Sequence, residues 1–241
     1  MRGLWIQSLA VLIVAFQAQA ADDTLPGVPI SQEHHHRQVL ENSFVKAYEV
    51  EVAPHESTLM HQHLHDYLYI VFGDDDITNA VAGKPEVKLK QPDLTVNFSQ
   101  GPFAHIAINN ADTPFRNITI ELLRPQGKVK KFYPSIGAAL SGGKEGLKDG
   151  REVSLLETEE VRVVAVSMAA KSKRVLPRDA RHRLVVMTDK IHGTSGEKEK
   201  NSPFPAGMVK WVSAGESWSV AGSSGQQSRL VVLEFKDTAT K

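Results

Sequence analysis

The chain has 241 residues, of which 41% are hydrophobic and 23% are charged, and its 28 basic side chains balance 28 acidic ones. This composition is typical of a globular protein with one or two cores, and it excludes fibrous and low-complexity chains. A net charge of zero without long basic runs makes nucleic acid an unexpected partner, because phosphate binding needs clustered Lys and Arg. The sequence has no cysteine, which excludes disulfides, thiolate metal ligands and a cysteine nucleophile.

Residues 1–20 have the pattern of a secretory signal peptide. Arg2 supplies a positive start, residues 9–16 form an apolar run, and Ala18 and Ala20 place small residues at the end. The pattern favours export over a membrane anchor, since the run is far shorter than the ~20 apolar residues that span a bilayer. We therefore expect a secreted or periplasmic protein without membrane contact after the signal is removed.

Short runs rich in Val, Ile, Leu and Tyr predict β-strands along the rest of the chain. The clearest runs are 44–52, 67–72, 118–123, 161–168 and 230–235. Polar turns such as 73–76 separate them and long helical periodicity is missing, so a sandwich or barrel is expected. His34, His35 and His36 precede the first run, and we expect them to lie in a solvated N-terminal segment.

An internal repeat divides the chain into two units. The segment 40–70 recurs at 156–186 with a constant separation of 116 residues, and the segment 116–121 recurs at 229–234. A constant separation over a whole stretch is hard to ascribe to chance, so two homologous β units are the best explanation. The predicted organisation, in chain order, is a signal peptide at 1–20, a first domain at 21–135, a glycine-rich linker with one short helix at 136–153 and a second domain at 154–241.

Three histidines of the first unit are spaced to meet around one point. His61 and His63 are alternate residues leading into a predicted strand, so their side chains project to the same side. His105 follows Gly101 on another predicted strand, and Asn109 shares its face by parity. Three imidazoles predict a site for a divalent transition metal, with Fe, Zn, Ni, Cu and Mn left open. The alternative is that these are unrelated surface or core histidines.

These spacings resemble the two motifs of the cupin superfamily. The first motif has a His-x-His pair, a Glu and a Gly, and the second has a Gly, a His and a closing Asn. The matching residues here are His61, His63, Gly73, Gly101, His105 and Asn109. The resemblance covers residues 35–125 and, through the repeat, 150–236. It implies an all-β bicupin, with two tandem jelly-roll β-barrels.

The sequence departs from the cupin pattern at the carboxylate ligand. Tyr67 stands where the Glu is expected, and a cavity-lining aromatic is favoured over a phenolate ligand. His65 shares the parity of the pair and is left open as a ligand or a neighbour of the site. Some cupin dioxygenases, the cysteine dioxygenases among them, hold iron with three His alone, so the resemblance still implies a metal at His61, His63 and His105.

The second unit has lost every expected site residue. The matching positions are occupied by Pro177, Asp179, Arg183, Trp218 and Gly222. We therefore predict a single metal per chain and assign the second barrel a structural or dimerising role, which allows a homodimer.

The resemblance, above all to the quercetin dioxygenase type of bicupin, implies a metal-dependent oxygenase. A three-His centre leaves the charge of the ion uncompensated, so it should attract a small anionic or chelating organic substrate, with Tyr67 and Asn109 as further candidate catalytic residues. One alternative is a metal-binding or small-molecule-binding module without turnover. The other is a metal-dependent isomerase or lyase, which needs a general base. The acidic candidates for that base are Glu56, Asp66 and Glu121.

Overall fold

The computed structural model describes residues 25–141, 150–195, 202–222 and 227–236. The predicted signal peptide and most of the glycine-rich part of the predicted linker lie outside the described residues. Within the described ranges the elements are twenty β-strands, one α-helix of six residues and one short 3-10 turn. No helix among these residues is long and apolar enough to cross a membrane.

The first half of the chain folds into two five-stranded sheets. Its strands are β1 (Val28–Pro29), β2 (His36–Glu41), β3 (Val45–Val52), β4 (His61–His63), β5 (Asp66–Val71), β6 (Asp75–Val81), β7 (Val87–Gln91), β8 (Val96–Ser99), β9 (Phe103–Asn109) and β10 (Phe115–Leu122). The 3-10 turn, Ile30–Gln32, lies between β1 and β2. The sheet orders are β1-β4-β9-β6-β7 and β2-β3-β10-β5-β8. Buried side chains from both sheets, among them Val50, Ile77 and Phe115, form one cluster between them.

The second half folds into a six-stranded and a four-stranded sheet. Its elements are β11 (Lys131–Phe132), α1 (Ile136–Ser141), β12 (Glu152–Glu157), β13 (Val161–Met168), β14 (Lys173–Leu176), β15 (His182–Met187), β16 (Ile191–Ser195), β17 (Ser202–Phe204), β18 (Val209–Val212), β19 (Trp218–Ala221) and β20 (Ser228–Phe235). The sheet orders are β11-β12-β13-β20-β15-β18 and β14-β19-β16-β17. By sequence β11 falls inside the predicted first domain, yet it pairs with β12 of the second. The domain limits stay a prediction.

The two halves repeat the same strand arrangement, as the sequence predicts. In the first half β10 lies between β3 and β5, and in the second half β20 lies between β13 and β15, with all pairs antiparallel. The register is also repeated, since Glu121 faces Lys46 and Tyr67 as Glu234 faces Arg162 and Arg183. The predicted all-β fold of two barrels is confirmed.

The largest apolar cluster lies between the two halves. Ile118 and Ile120 of β10 pack in one cluster with Leu155 of β12 and Leu233 of β20. Burying each such side chain contributes about 1.5–3 kcal/mol. Because successive side chains of a strand point to opposite faces, the alternate β10 residues, which include Glu121, face the interior of the first barrel. Both faces of β10 are therefore buried, one against the second half and one around the site described next.

Candidate metal centre

Two adjacent strands bring the three histidines together. Strand β4 pairs antiparallel with β9 so that His61 lies opposite His105, and His63 lies opposite Phe103. One ligand nitrogen from each of the three histidines lies within 4.8 Å of the others. The Nε2 atoms of His63 and His105 are 3.3 Å apart. The structure thus places the three predicted metal ligands in one group.

Hydrogen bonds at Nδ1 fix the orientation of two of the rings. The Nδ1 of His61 lies 2.9 Å from the carbonyl oxygen of Leu59, and the Nδ1 of His105 lies 2.7 Å from Oδ1 of Asn79. Both partners are oxygen acceptors, so each Nδ1 donates and each Nε2 keeps a free lone pair. An acceptor behind a histidine fixes the tautomer that metal binding requires.

A carboxylate lies behind the third ring. Oε1 of Glu121 is 3.4 Å from Nδ1 of His63, and both atoms are buried without a hydrogen-bond partner. Burial raises the pKa of Glu121, with the charges of nearby His65 and Lys46 acting in the opposite direction. Glu121 was one of three acidic candidates for a general base. Glu121 lies behind the ring of His63 and is not part of the cavity lining.

Burial keeps the three imidazoles neutral. It lowers the pKa of His61 and of His63 to about 3 and holds the pKa of His105 well below its ordinary value. The Nε2 of His61 is buried and has no hydrogen-bond partner within the described part of the chain. Three neutral nitrogen lone pairs that converge in a buried site fit a divalent transition metal, because imidazole must be deprotonated to bind.

The histidines form one wall of a small cavity inside the first barrel. Its volume is about 40 Å³, which is room for about three water molecules. The rest of the lining is His36, Val50, Thr58, Tyr67, Tyr69, Ile77, Asn79, Ala107, Phe115, Asn117 and Thr119. None of these lining residues is Lys, Arg, Asp or Glu, so a bound metal would be the main charge that faces the cavity.

Tyr67 is part of the cavity wall and stacks on a ligand. Its ring lies 4.1 Å from that of His63, with 10° between the ring planes. Burial raises the pKa of Tyr67 to about 12, although a hydrogen bond with Ser99 acts in the opposite direction. A neutral phenol that already bonds to Ser99 fits the cavity-lining alternative better than the phenolate ligand.

Asn109 occupies a different place from the other candidate residues. Its Nδ2 donates to the carbonyl oxygens of Val52, Ala53 and Thr113, and its Oδ1 accepts from the backbone of Ala111. Asn109 is outside the cavity lining. Of the two roles considered for it, contact with the barrel wall is the one these hydrogen bonds support, and a catalytic role stays a prediction.

The start of β9 depends on a close backbone approach at Gly101. A Cβ at this position would lie 2.5 Å from the carbonyl oxygen of His65, so only glycine fits. The Gly101 amide donates to Oδ1 of Asp66 at 3.1 Å. Asp66, a second acidic candidate, is therefore engaged away from the metal group. His65 likewise lies outside the cavity lining, and the side chain of the third candidate, Glu56, is 62% exposed.

The expectation of a solvated histidine tract was wrong for two of its three members. His34 is exposed, but the side chains of His35 and His36 are only 10% and 5% exposed. His36 lines the cavity, and its Nδ1 bonds to the buried carboxylate of Glu33. The available signal was the acidic residue directly before the tract, since a histidine with a carboxylate three residues away can be held in one orientation.

The matching site of the second half is filled by an ion-pair network. Arg183, which replaces Tyr67, is fully buried and bonds to Asp179 and Glu234. Arg181 bonds to the same two carboxylates, and Trp218 occupies the position of His105. Among the described residues, two groups have the spacing of potential metal ligands, and both lie in the first half: His61, His63 and His105, and Glu33, His34 and His35.

No protein-family model and no curated protein matches this chain, but many solved structures do. A salicylate 1,2-dioxygenase from Pseudaminobacter salicylatoxidans aligns with a TM-score of 0.61 and 12% identity, over 83% of this chain and 75% of that one. A cupin 2 conserved barrel domain protein from Leptotrichia buccalis aligns with a TM-score of 0.53 and 9% identity, over 83% and 88% of the two chains. This chain has the bicupin fold.

A third neighbour supports the same architecture. AerE from Microcystis aeruginosa aligns with this chain at a TM-score of 0.55 and 10% identity, over 84% of this chain and 97% of that one. Identities this low show the fold alone, so the role of the site is argued from its own geometry. The cupin resemblance seen in the sequence is confirmed at the level of fold, and the predicted homodimer stays a prediction.

Proposed function

We propose that this bicupin is a metal-dependent oxygenase that acts on a small anionic or chelating organic substrate in its first barrel. The observation that carries the proposal is the convergence of His61, His63 and His105, as neutral buried imidazoles, on a cavity with no other charged side chain. A divalent ion held by neutral ligands keeps its full charge and attracts an anionic oxygen donor.

Some residues of the site would hold the metal, and others shape the cavity. His61, His63 and His105 would hold the ion, which when bound supplies a positive charge for an oxygen donor and, as iron, electrons for dioxygen. Val50, Ile77 and other apolar wall residues exclude bulk water. Exclusion of water strengthens the attraction between the ion and an anionic donor.

The cavity also limits the substrate. Its volume of about 40 Å³ suits a small molecule. Because no Lys or Arg lines it, a second anionic group would have no counter-charge and would be costly to bury. We therefore favour a substrate with one anionic or chelating end and an otherwise apolar body. The salicylate 1,2-dioxygenase neighbour, which has been solved with gentisate, is an oxygenase of this fold.

The two alternative functions differ in what the cavity offers them. A metal-dependent isomerase or lyase needs a general base in contact with the substrate, and none of the acidic candidates Glu56, Asp66 and Glu121 lines the cavity. A binding module without turnover needs no residue beyond the site already described. The assay below distinguishes it from the oxygenase, because a binding module would hold ligand without consuming oxygen.

Oxygen consumption by the iron-loaded protein tests the proposal. The substrates are small hydroxy acids, diketones, thiol carboxylates and phenols, and product formation is measured in parallel. We expect turnover with the wild type, its loss in His105→Ala, and its retention in the control variant His55→Ala, whose exposed side chain pairs with Asp112. Tight ligand binding without oxygen uptake for any substrate would replace the oxygenase by the binding module.

We also propose that the protein is exported. The proposal is supported by the charged start, short apolar run and small-residue end of residues 1–20. N-terminal sequencing of the mature protein should begin at Ala21 or within a few residues of it. A soluble intracellular protein that retains Met1 would contradict export.

A further inference from the structure

The segment before the first long strand is attached to the strand that carries two metal ligands. Strand β1 pairs in parallel with β4, with Val28 opposite His61. The Nε2 of Gln62 donates to the carbonyl oxygens of Leu25 and Gly27 at 2.6 and 3.1 Å. The N-terminal segment is thus part of the metal site rather than a loose extension.

Glu33 is the buried centre of this segment. Its carboxylate accepts hydrogen bonds from the backbone of His35 at 2.9 Å, from the backbone of Leu59 at 3.1 Å, and from the Nδ1 atoms of His35 and His36. Burial raises the pKa of Glu33, but these hydrogen bonds outweigh burial and hold it well below its usual range. Glu33 is therefore an ionised acceptor, and its partners are fixed around it.

His36 is held by Glu33 against the metal site. Its ring lies 4.7 Å from the ring of His61 and meets Tyr48 edge-on at 6.1 Å. The ring lines the cavity but is not part of the group whose nitrogens lie within 4.8 Å of one another. Because the carboxylate of Glu33 only accepts, Nδ1 of His36 carries the hydrogen, and in this tautomer the lone pair lies on Nε2.

The other polar groups of the cavity wall already have partners. Asn79 accepts from His105, and Thr58 accepts from the backbone of Ala107. The remaining pairs are Asn117 with Thr119, Tyr67 with Ser99 and Tyr69 with Gln91. His36 differs from these groups, because Glu33 engages its Nδ1 and no hydrogen bond in the described part of the chain engages its Nε2.

We propose that Nε2 of His36 accepts a hydrogen bond from a hydroxyl or water oxygen that the metal holds on its cavity side. Binding to a divalent ion withdraws charge from an oxygen donor and makes its O–H a stronger hydrogen-bond donor. The ligand class that uses both the ion and His36 is a small oxygen chelator with a hydroxyl group, such as an α-hydroxy acid. This inference rests on the metal centre of the proposed function and names its substrate class.

The test uses the cobalt-loaded protein and two probes that differ in one property. Glycolate brings a hydroxyl to the metal, whereas azide binds through nitrogen and has no proton to donate. Both affinities are measured from the visible spectrum of the cobalt. One lost hydrogen bond of about 0.5–1.5 kcal/mol corresponds to a factor of roughly 2–13 in affinity. We expect His36→Leu to lose glycolate affinity by about this factor while azide affinity and cobalt stoichiometry stay at wild-type values.

Two further variants keep the test valid if His36→Leu does not fold. In His36→Gln the amide reaches the place of Nε2 and should retain much of the glycolate affinity, whereas the shorter amide of His36→Asn should not. The matched control is His34→Leu in the same tract, whose side chain is exposed and outside the cavity lining. It should behave as the wild type.

The outcomes separate this inference from the proposed function. Equal glycolate affinity in all variants, or equal losses for glycolate and azide, would overturn the role of His36 and leave the metal centre intact. Loss of cobalt in His36→Leu would make His36 a ligand, which also overturns the inference. A wild type that binds no cobalt would overturn both the proposed function and the inference that rests on it.

Discussion

Two of the three imidazoles of the site are oriented by an acceptor that lies behind the ring. Asn79 is the clearest case, because its Oδ1 lies 2.7 Å from Nδ1 of His105. Such residues determine which nitrogen faces the ion and how freely the ring rotates.

Replacement of Asn79 should therefore weaken metal binding. We expect Asn79→Ala to lower metal affinity by about 10–100-fold, and Asn79→Asp, which keeps an acceptor oxygen, to lose less. Competition with a chelating dye measures the affinity. Asn110→Ala is the control, since Asn110 bonds to Asp76 and Thr78 outside the cavity lining. Equal affinity of Asn79→Ala and the wild type would show that Asn79 does not orient His105.

Asp75, at the start of β6, should make the stability of the protein depend on pH. Burial raises its pKa to about 7, with the charges of Asp76 and Asp74 adding to the effect against one hydrogen bond from the backbone of Gln91. The folded protein then holds a proton that the unfolded chain releases near its ordinary pKa of about 3.9. The stabilising contribution is complete below pH 4 and is lost as the pH rises to about 7.

Asp75→Asn should remove this dependence. At pH 8 the variant should be more stable by about 1–3 kcal/mol, the cost of a buried polar group that lacks a partner. At pH 4 the two proteins should unfold at similar urea concentrations. Urea unfolding of both proteins at both pH values measures the effect as a difference between them, because the buried histidines, whose pKa is lowered, make the stability of both proteins rise over part of the same range. A stability advantage of Asp75→Asn over the wild type that does not grow between pH 4 and pH 8 would contradict the role of Asp75.

Two glycines beside strands of the first half have the same backbone conformation but different surroundings. Gly27, before β1, has a φ of +90°, and a Cβ there would lie 2.2 Å from the carbonyl oxygen of Met60. Gly73, between β5 and β6, has a φ of +88° but open space around the same position. The two glycines share the same backbone requirement and differ in the contact.

This pair separates backbone strain from steric overlap. Gly73→Ala should cost about 1–2 kcal/mol, as expected for a left-handed conformation in a residue with a side chain. Gly27→Ala should cost more and should release the segment that pairs with β4, making it sensitive to protease. Thermal unfolding and limited proteolysis measure the two effects. Equal stability losses, with β1 still protected, would show that Met60 moves aside without cost.

The two barrels share one apolar core, so binding in one should stabilise both. The cluster between them contains Ile118 and Ile120 from the first half and Leu155 and Leu233 from the second. A ligand that binds the folded state stabilises everything that unfolds with its site. The tryptophans beyond residue 20, Trp211 and Trp218, both belong to the second half and report on it.

Metal added at 100 times its dissociation constant should therefore shift the tryptophan-monitored unfolding. The gain of about 2.7 kcal/mol corresponds to a rise of roughly 5–10 °C in the melting temperature of a chain this long. His105→Ala should show no shift. If metal stabilises the first half but leaves the tryptophan-monitored melting temperature of the second half unchanged, the two barrels unfold independently.

Particular elements show what the sequence was sufficient to predict. The strand at 161–168 was predicted to the residue, because both of its faces are buried and its side chains are apolar except at Arg162 and Ser167. The repeat predicted the matching strand order of the two halves, and the spacing of His61, His63 and His105 predicted their convergence. Each of these signals is local or periodic, so it can be read along the chain.

Other features required the tertiary structure. Glu33 stands three residues before His36, but only the packing of the N-terminal segment over β4 places His36 at the cavity wall and His34 in solvent. The hydrogen bonds of Asn109 to three carbonyl oxygens likewise join segments that are distant in sequence. The sequence by itself determined the strands, their repetition and the ligand types. The folded chain decided which side chains face the cavity, because burial and orientation depend on residues that meet only after the strands have paired.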